Sequence, residues 1–518
     1  MGSKVFLTPY GGVNKIGGNT FLLEDSDSKI IIDFGEDFDR FDSYYEFPTN
    51  MPKDSVEREL VLTGILPKII SHEGNAIFNY SEIRHGLKTS TRHEREWSII
   101  DNPVKQPFSV IISHGHLDHV ANVVFLPSTT PIYTGTYTQM SFLSRFVSKR
   151  IGSLYQMLAF SENLANMEDI DKVDVKNFRH SYREFRNEVP FKPSGIEVKP
   201  CAVDHSIPGA FGFIIRTSQS TIGYTGDFRS HGVAKAFTEK FKENLVDEKI
   251  DFLICEGTNL GIHQIMDEEG VESFTYKAVS DFFAKGGEHV YISVSSNNID
   301  RISQVYGVAK RLGVNLYLSD EVFLPLLRIM RSELRRRIIS PLPPLIKDPL
   351  LRRREEEKWG KASDIRSLGV LIPNDALGEL ILSKAEALSL SYSNESDFSS
   401  IPSESIILIH DRPPLIKRRV KRKALFIIST SEHESEEGMF ALERFVNQAM
   451  VMGIPLIRVH SSGHINILDL IDFVKTVNPK HIIPVHTEHP EFFKSYFEVL
   501  MGIKVTLPYE GAPIVLER

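Results

Sequence analysis

The chain has 518 residues, more than one hydrophobic core ordinarily organises, so we expect two domains or one domain with a large insertion. Hydrophobic residues make up 41% of the chain and charged residues 25%, a globular composition that excludes the disordered and fibrous classes. The net charge of −8 excludes a histone-like coat on nucleic acid, although a local basic groove is compatible with it.

Cysteine usage and the N-terminal segment bear on the cellular compartment. The two cysteines, Cys201 and Cys255, are too few for a disulfide framework. The first residues, MGSKVFLTPY, lack the charged, apolar and small-residue blocks of a signal peptide. No apolar run approaches the roughly 18 residues that a membrane span requires. The sequence therefore predicts a cytoplasmic protein that does not enter a membrane.

Short strands separated by glycine turns are predicted for the first third of the chain. The apolar runs that predict them are KVFLTPY, NTFLLE, KIIIDF and FSVIIS, and a helical stretch follows from His119. The polar stretch 37–106 between the third and fourth runs predicts an elaborated loop around short helices, not a domain of its own.

Strands resume at Ile196 and then alternate with helices. The predicted strands are IEVKPC, GFIIRT, TIGYTGD, DFLICE, HVYISV and NLYLS, with helices near 271–284 and 299–312. This alternation predicts a parallel α/β unit. We expect residues 330–423 to be helices and loops inserted in that unit. Strands ALFIIS, PLIRVH and HIIPVH, two helices and a last pair of strands complete the chain.

The segment SHGHLDH, residues 113–119, crowds three of the 18 histidines of the chain behind a predicted buried strand. Imidazole and carboxylate groups are ligands of zinc and related divalent ions. Because side chains alternate along a turn that leaves a strand, His114 and His116 are predicted to hold one ion. Asp118 and His119, further round the turn, are predicted to hold a second.

Further ligands are predicted at the ends of other apolar strands. They are His205 in VDHSIPGA, Asp227 in YTGDFR and His486 in IPVHTEHP. We expect Asp227 to bridge the two ions. Asp33, at the end of KIIID, is expected to support a ligand or the reacting water through hydrogen bonds. The nitrogen and oxygen ligand set, without thiolate, predicts Zn²⁺ or Mn²⁺.

These metal-site residues resemble the motifs of the metallo-β-lactamase superfamily. The resemblance implies a four-layer αβ/βα sandwich with a dinuclear metal site at the ends of two sheets. The superfamily includes lactamases, thioesterases, oxidoreductases and nucleases, so the resemblance alone leaves the reaction open.

A long insertion and three further motifs resemble the β-CASP group, the members of the superfamily that process nucleic acids. Asp227 and His486 are 259 positions apart, a longer separation than a hydrolase of small molecules needs. Glu256, His464 and His486 resemble motifs A, B and C of the group. The resemblance implies residues 1–245 and 429–518 as the metallo-β-lactamase domain and 246–428 as an inserted α/β β-CASP domain that caps the metal cleft.

Within the group, GGVNKIGGN, HSIPGA, SNNIDRISQV and HSSGH most resemble ribonuclease J and its archaeal relatives. Two departures matter. The last motif reads His486-Thr487-Glu488 where ribonuclease J usually has glycine in the middle, and the chain ends soon after its last strand, where bacterial ribonuclease J has a further domain. We therefore expect an archaeal-type organisation without that domain, and a homodimer built through it is not implied, although a homodimer of another kind is compatible with the sequence.

The resemblance implies a hydrolytic ribonuclease, an exonuclease, an endonuclease or both. His464 is expected to protonate the leaving oxygen, Glu256 to hold His464 in the useful tautomer, and Asp118 and Asp33 to take part at the metal centre. His460, Ser461, Ser462 and Gly463 are expected to contact substrate. A histidine in motif C favours single-stranded RNA, with DNA as an alternative substrate. The sequence is also compatible with a hydrolase of small esters or thioesters and with a non-catalytic nucleic-acid scaffold.

Overall fold

The computed structural model describes residues 4–44, 60–78, 108–141, 179–261, 266–331, 367–374, 376–394, 398–410, 420, 423–430 and 436–517. The strands, numbered in chain order, are β1 Val5–Pro9, β2 Thr20–Asp25, β3 Ser28–Phe34, β4 Phe108–Ile112, β5 Ile132–Thr134, β6 Tyr182–Glu184, β7 Glu197–Val203, β8 Ala210–Arg216, β9 Thr221–Tyr224, β10 Phe252–Glu256, β11 His289–Val294, β12 Asn315–Leu318, β13 Ser367–Ile372, β14 Ser391–Asn394, β15 Ser405–His410, β16 Ala424–Ile428, β17 Leu456–Arg458, β18 His481–Val485, β19 Lys504–Val505 and β20 Ile514–Val515.

The α-helices include α1 Phe38–Tyr44, α2 Leu117–Val120, α3 Lys235–Glu248, α4 Glu268–Ala284, α5 Ile299–Leu312, α6 Asp320–Arg331, α7 Ala376–Ala387, α8 Glu436–Val451, α9 Ile467–Val477 and α10 Pro490–Phe493. Short 3₁₀ turns occur at Ala121–Phe125, Pro193–Gly195 and Phe398–Ser400, and a π turn at Lys494–Glu498. None of the helices in these ranges is long and apolar enough to cross a membrane.

The strands form three sheets. The first has the order β20-β1-β2-β3-β4-β5-β6 and the second β19-β18-β10-β9-β8-β7. Both are mixed: β1, β2 and β3 pair antiparallel, as do β7, β8 and β9, whereas β3 to β6 and β9, β10, β18 and β19 pair in parallel. The last two strands, β19 and β20, were expected to pair with each other. Instead, β19 is an edge strand of the second sheet and β20 an edge strand of the first.

The first two sheets pack face to face, and helices or loops cover their outer faces. In β3, Ile30 and Ile32 belong to the core between the sheets, whereas Ile31 belongs to the outer core with Leu60 and Leu66. This alternation follows from the two-residue period of a strand. On the outer side of the second sheet, α3 and α9 contribute another core. The result is the expected four-layer αβ/βα sandwich.

The third sheet has the order β14-β13-β12-β15-β11-β16-β17, and all of its pairs are parallel. Its central strands are buried on both faces: in β11, Val290 and Ile292 face one core and Tyr291 the other. The parallel α/β unit expected from the sequence is therefore present. The expectation of helices and loops alone for 330–423 was wrong, because the apolar runs SLGVLI and SIILIH form β13 and β15.

The division of the chain into domains stays a prediction, but strand pairing bears on its boundaries. β10, which begins after the predicted boundary at 246, pairs with β9 and β18 of the second sheet. β17, which follows the predicted boundary at 428, pairs with β16 of the third sheet. Boundaries drawn by sheet membership would fall after β10 and after β17.

Candidate metal centre

The chemistry-bearing residues lie at strand ends that meet along one edge of the first two sheets. Loops that leave the ends of β4, β7, β9 and β18 carry most of them, and β3 and β10 carry theirs in their last residues. These residues are Asp33, His114, His116, Asp118, His119, His205, Asp227, Glu256 and His486. Residues from positions 33 to 486 thereby share one site, as the motif resemblance predicts.

The first ligand group consists of His114, His116, His205 and Asp227. Nδ1 of His116 lies 3.0 Å from Nε2 of His114 and 3.0 Å from Nε2 of His205. Oδ2 of Asp227 lies 3.5 Å from Nε2 of His114 and 3.9 Å from Nε2 of His205. Donor atoms at the usual zinc distance in a tetrahedron are about 3.3 Å apart, so these separations suit one ion.

The second ligand group consists of Asp118, His119, His486 and the shared Asp227. Nε2 of His119 lies 3.1 Å from Oδ2 of Asp227 and 3.6 Å from Oδ2 of Asp118. Nε2 of His486 lies 3.0 Å from Oδ2 of Asp118 and 3.8 Å from Oδ2 of Asp227. All seven residues predicted as ligands are therefore together, and Asp227 belongs to both groups.

The donor set also fits a metal in its chemistry. The atoms that converge are imidazole nitrogens and carboxylate oxygens, the ligands that zinc and manganese accept. Oδ1 of Asp227 is buried and has no hydrogen-bond partner among the described residues. A buried carboxylate oxygen ordinarily has a partner, and a cation would supply one.

Three of the candidate ligand histidines use the ring nitrogen that faces away from the ligand groups for a supporting contact. Nδ1 of His119 lies 2.8 Å from Oδ2 of Asp33, and Nδ1 of His205 lies 2.5 Å from the carbonyl oxygen of Gly463. Nδ1 of His486 lies 2.7 Å from Oγ1 of Thr258. Such contacts fix the tautomer and present Nε2 to the metal side, as outer hydrogen bonds do in metal sites.

Asp33 lies behind His119 and belongs to neither ligand group. Besides His119, its carboxylate accepts hydrogen bonds from the backbone N–H and hydroxyl of Ser113 and from the hydroxyl of Tyr224. The register between β2 and β3 shifts at Thr20, which leaves Asp33 unpaired in the ladder with a φ of 55°. This bulge turns the side chain toward the site, so Asp33 is placed to orient a ligand.

Electrostatics divide the histidines of the site into two kinds. Burial lowers the pKa of His114 and of His205 well below the usual value, so both rings are neutral and ready to bind a cation. Burial opposes charge on His119 too, but Asp227, Asp118 and Asp33 outweigh it and raise its pKa. The second ligand group thus attracts positive charge, which a divalent ion would supply in place of protons.

The carboxylates show the reciprocal effect. Burial alone would raise the pKa of Asp227 and of Asp118, but the neighbouring histidines, His119 first, outweigh burial and lower both. Both side chains are therefore ionised, which is the form that binds a metal.

Glu256 and His464 form a third group with His486 beside the ligand groups. Nδ1 of His464 lies 3.1 Å from both carboxylate oxygens of Glu256. Glu256 is itself held by hydrogen bonds from the backbone N–H of Phe228 and from the backbone N–H and hydroxyl of Thr258. The side chain of His464 is 19% exposed, so solvent and substrate can reach it, whereas Glu256 is buried.

The loop HSSGH lies at the site. Some of its polar groups have hydrogen-bond partners, and others have none among the described residues. The carbonyl oxygen of Ser462 accepts from Arg229 and contacts His231, and its hydroxyl contacts Asn259. Gly463 packs so closely on Ser206 that an added Cβ would lie 2.8 Å from its hydroxyl. Oγ of Ser461 and Nδ1 of His460 are buried without a hydrogen-bond partner among the described residues.

The four predicted substrate contacts in this loop stay predictions. Burial lowers the pKa of His460 to about 3, so this ring is neutral near pH 7. Ser462 and Gly463 have structural partners that account for their positions, whereas Ser461 and His460 retain unsatisfied atoms.

Sequence reasoning missed the residues that support the site from outside. Thr258 joins Glu256 to His486, and the amide of Asn259 donates to the carbonyl oxygen of His464 at 2.8 Å. The amide of Asn19 lies 3.0 Å from Nε2 of His119, the nitrogen that faces the second ligand group, so Asn19 borders that group directly. The only available signal was position: Thr258 and Asn259 directly follow the strand that ends in Glu256.

Comparison with known proteins shows which family the chain resembles. Residues 455–508, which contain HSSGH and His486, match the family described as the Zn-dependent metallo-hydrolase RNA specificity domain. The chain is 20% identical to ribonuclease J of Mycoplasma pneumoniae over 509 residues, covering 94% of this chain and 68% of that protein. It is 22% identical to ribonuclease J of Sinorhizobium meliloti over 392 residues, covering 73% and 57%. The chain is a ribonuclease J-like protein of the metallo-β-lactamase superfamily and its β-CASP group.

The ribonuclease J-like chain also shares its fold with a crystal structure of a protein of unknown function from Enterococcus faecalis. The TM-score is 0.66 at 18% identity, and the match covers 99% of this chain and 100% of that one. At this identity the match supports the fold alone.

The basic run of the ribonuclease J-like protein, Lys417 to Lys423, lies outside the described residues except for Val420 and Lys423. The run KRRVKRK contains no acidic residue, which predicts that it lines the cleft and contacts phosphates.

Proposed function

We propose that the protein is a metal-dependent ribonuclease that hydrolyses phosphodiester bonds of single-stranded RNA with two divalent ions, Zn²⁺ or Mn²⁺. One observation carries the proposal: two ligand groups share the buried Asp227, and the Glu256–His464 pair stands beside them. The family match at 455–508 and the similarity to ribonuclease J support RNA as the substrate.

Two ions would be held by His114, His116 and His205 on one side and by Asp118, His119 and His486 on the other, with Asp227 between them. Divalent ions at such a site supply an activated water nucleophile and stabilise negative charge on the phosphoryl oxygens. The chain holds the site rigid, because burial and the outer contacts of His119, His205 and His486 restrict these rings.

His464 is proposed to move the proton that the leaving oxygen needs. The Glu256 carboxylate can only accept when ionised, so Nδ1 of His464 carries a proton toward it. We assign the exchange of a proton with substrate to Nε2. His464 is anchored by its backbone as well: its N–H donates to Oγ of Ser462, and its carbonyl oxygen accepts from Asn259. Glu256 is a positioning residue in this scheme, as is Asp33.

We also propose that the protein is cytoplasmic. Separately, we propose that it forms a homodimer. Cys201 and Cys255 are both buried and unpaired, which suits a reducing compartment. Analytical ultracentrifugation of the purified protein tests the oligomeric state directly.

The testing experiment uses single-stranded RNA labelled at its 5′ end and carrying either a monophosphate or a triphosphate there. Purified protein is assayed with Zn²⁺ or Mn²⁺, with EDTA, and on a DNA strand of the same sequence, and its metal content is measured. We expect about two ions per chain, RNA cleavage that EDTA abolishes and metal restores, and weaker cleavage of DNA. Release of labelled mononucleotide only from the monophosphate form indicates 5′-exonuclease action, and internal fragments from both forms indicate an endonuclease.

Two results contradict the proposal. A metal content near zero after growth and purification with added zinc removes the metal-dependent reaction. RNA that stays intact with the metal-loaded protein, when a thioester or carboxylic ester is hydrolysed, reassigns the site to small substrates.

A further inference from the structure

A cavity of about 260 Å³ adjoins the metal centre at His205. Aromatic and aliphatic side chains form most of its wall, chiefly Tyr137, Phe185, Ile207, Phe211 and Phe237. These residues come from the helical segment after β5, the loop after β6, the β7–β8 turn, the start of β8 and the start of α3. The cavity therefore belongs to the same end of the sandwich as the ligand groups.

Two glycines allow the aromatic wall to form. A Cβ at Gly135 would lie 2.6 Å from the ring of Phe211, and a Cβ at Gly209, whose φ is +75°, would lie 2.6 Å from Cβ of Tyr137. Phe185 packs edge-on against Phe211 with ring centroids 5.0 Å apart. Close backbone approach at both glycines thus fixes the positions of Tyr137 and Phe211.

Polar side chains also line this mostly apolar cavity. Asp300, from the first turn of α5, is 6% exposed and has no hydrogen bond or ion pair with another described residue. Burial raises its pKa to about 7, so near neutral pH part of the population has a carboxyl that donates as well as accepts a hydrogen bond. Arg186 is exposed and forms no ion pair within the described ranges, and Phe237 is 44% exposed, so both mark the solvent side.

His205 is the wall that the cavity shares with the metal centre. Its Nε2 faces the first ligand group, 3.0 Å from Nδ1 of His116, while the ring also lines the cavity. The side chain of His205 is buried, so one imidazole separates the cavity from the first ligand group. In a nucleotide, base and phosphate are separated by one ribose, a spacer of comparable size.

We propose that this cavity, the base pocket, receives the base of the nucleotide next to the scissile phosphate. The inference rests on the proposed ribonuclease function and adds a recognition element to it. A nucleobase matches the three features together: flat aromatic walls on which it can stack, the carboxyl of Asp300 for its polar edge, and Arg186 for a phosphate outside. A purely apolar ligand would leave the buried carboxyl of Asp300 without a partner.

The first test measures binding of adenosine 5′-monophosphate, uridine 5′-monophosphate and ribose 5-phosphate to the metal-loaded protein by calorimetry. None of the three contains a phosphodiester, so none is hydrolysed. Because all three contain the same phosphate, a difference in their affinities reports the contribution of the base. Base stacking on aromatic side chains predicts that the nucleotides bind about tenfold more tightly than ribose 5-phosphate. Phe237→Ala should remove most of this difference. Phe274→Ala is the matched control, because Phe274 is 43% exposed on α4 and does not line the pocket.

Equal affinities for nucleotide and ribose 5-phosphate, or an unchanged difference in Phe237→Ala, would overturn the base pocket. Tight binding of toluene with no discrimination between nucleotide and ribose phosphate would assign the cavity to an apolar ligand instead.

The second test separates the base pocket from the proposed function. A set of RNAs that differ only in the position of one abasic nucleotide is cleaved beside unmodified RNA. We expect cleavage to slow about tenfold when the abasic position adjoins the cut, and Phe237→Ala to lose this dependence. If unmodified RNA is not cleaved while nucleotides still bind better than ribose 5-phosphate, the ribonuclease proposal fails and a nucleotide pocket stands. If RNA is cleaved with no positional dependence, the pocket assignment fails and the ribonuclease proposal stands.

Discussion

The hydroxyl of Thr258 links the proposed acid pair to the metal ligands, because Oγ1 lies 2.7 Å from Oε2 of Glu256 and 2.7 Å from Nδ1 of His486. A hydroxyl has one proton, and the ionised carboxylate can only accept it. Nδ1 of His486 must then be the donor in the second contact. This tautomer leaves the lone pair of Nε2 facing Asp118 and Asp227, where a metal ligand needs it.

Replacing Thr258 by valine should therefore weaken metal binding. Valine keeps the shape of the side chain but removes the hydroxyl that fixes the His486 tautomer. Loss of such an outer contact typically lowers metal affinity about 10–100-fold. Thr258→Ser retains the hydroxyl and is the matched control, with affinity close to wild type. Competition with a chromophoric chelator measures both, and equal affinities in the two variants would show that the contact does not orient His486.

A buried ionic network links the loop after β9 to the inserted α/β unit. Arg229 pairs with Asp204 at 3.2 Å and with Glu268 at 2.8 Å, and Arg301 pairs with Glu268 at 2.6 Å. All four side chains are at most 3% exposed. Arg301 also donates to the hydroxyl of Ser429. Glu268, at the start of α4, is thus the anion shared by two buried guanidinium groups.

Glu268→Gln should destabilise the protein strongly. The neutral amide leaves the charges of Arg229 and Arg301 less compensated in a buried place, and breaking a buried pair on one side costs about 3–5 kcal/mol. The control is Glu243→Gln, which removes the partner of Lys240 in an exposed ion pair on α3 and should leave stability unchanged. Urea denaturation followed by circular dichroism measures both. Equal midpoints would mean that the network contributes nothing to stability.

The grouping of the candidate metal ligands could be predicted from sequence because these residues obey one geometric rule. Ligands such as His205, Asp227 and His486 each follow an apolar strand, and the ends of neighbouring strands meet at one edge of a sheet. The chemistry of imidazole and carboxylate then identifies a metal site without knowledge of which strands are neighbours. The core strands could also be predicted, because strands that are buried on both faces, such as KIIIDF and HVYISV, appear in the sequence as continuous apolar runs.

The supporting residues could not be predicted, because their roles depend on contacts between distant segments. Thr258 is an ordinary polar residue until β10 and β18 pair and place it beside His486. Asp33 faces His119 only because a bulge gives it a positive φ. The membership of β10 and β17 in their sheets likewise follows from pairing partners, which a single apolar run does not specify.

Asp300 should make stability fall as the pH rises from about 4 to about 7. Burial raises its pKa from 3.8 to about 7 in the folded protein, so in this window the unfolded chain releases the proton while the folded chain keeps it. Its contribution is full below pH 3.8, declines up to about pH 7, and is then constant. Asp300→Asn removes this titration and should gain stability relative to wild type between about pH 5 and pH 8. Melting temperatures of both proteins at the two pH values test it, and parallel shifts would contradict the assignment.

The sharpest contrast lies between His464 and Asp227, because a proton donor and a shared metal ligand fail differently when truncated. Asp227→Ala should lose metal, since its carboxylate belongs to both ligand groups and its Oδ2 lies within 3.9 Å of four ligand histidine nitrogens. His464→Ala should keep the metal and the fold but slow RNA cleavage by about two to four orders of magnitude, the span of general acid assistance. His489→Ala, which truncates an exposed histidine three positions after His486, is the control and should behave as wild type.

Elemental analysis, RNA binding and single-turnover cleavage on the same preparations distinguish the two roles. A thiolate leaving group is already stable without a proton. RNA analogues with sulfur in place of the leaving oxygen at the cut should therefore lose much less rate in His464→Ala than normal RNA does. Asp227→Ala should be equally impaired on both substrates, because it lacks the metal that acts on the phosphate in either case. If His464→Ala loses metal as Asp227→Ala does, His464 is a ligand; if it cleaves normal RNA at the wild-type rate, another group protonates the leaving oxygen.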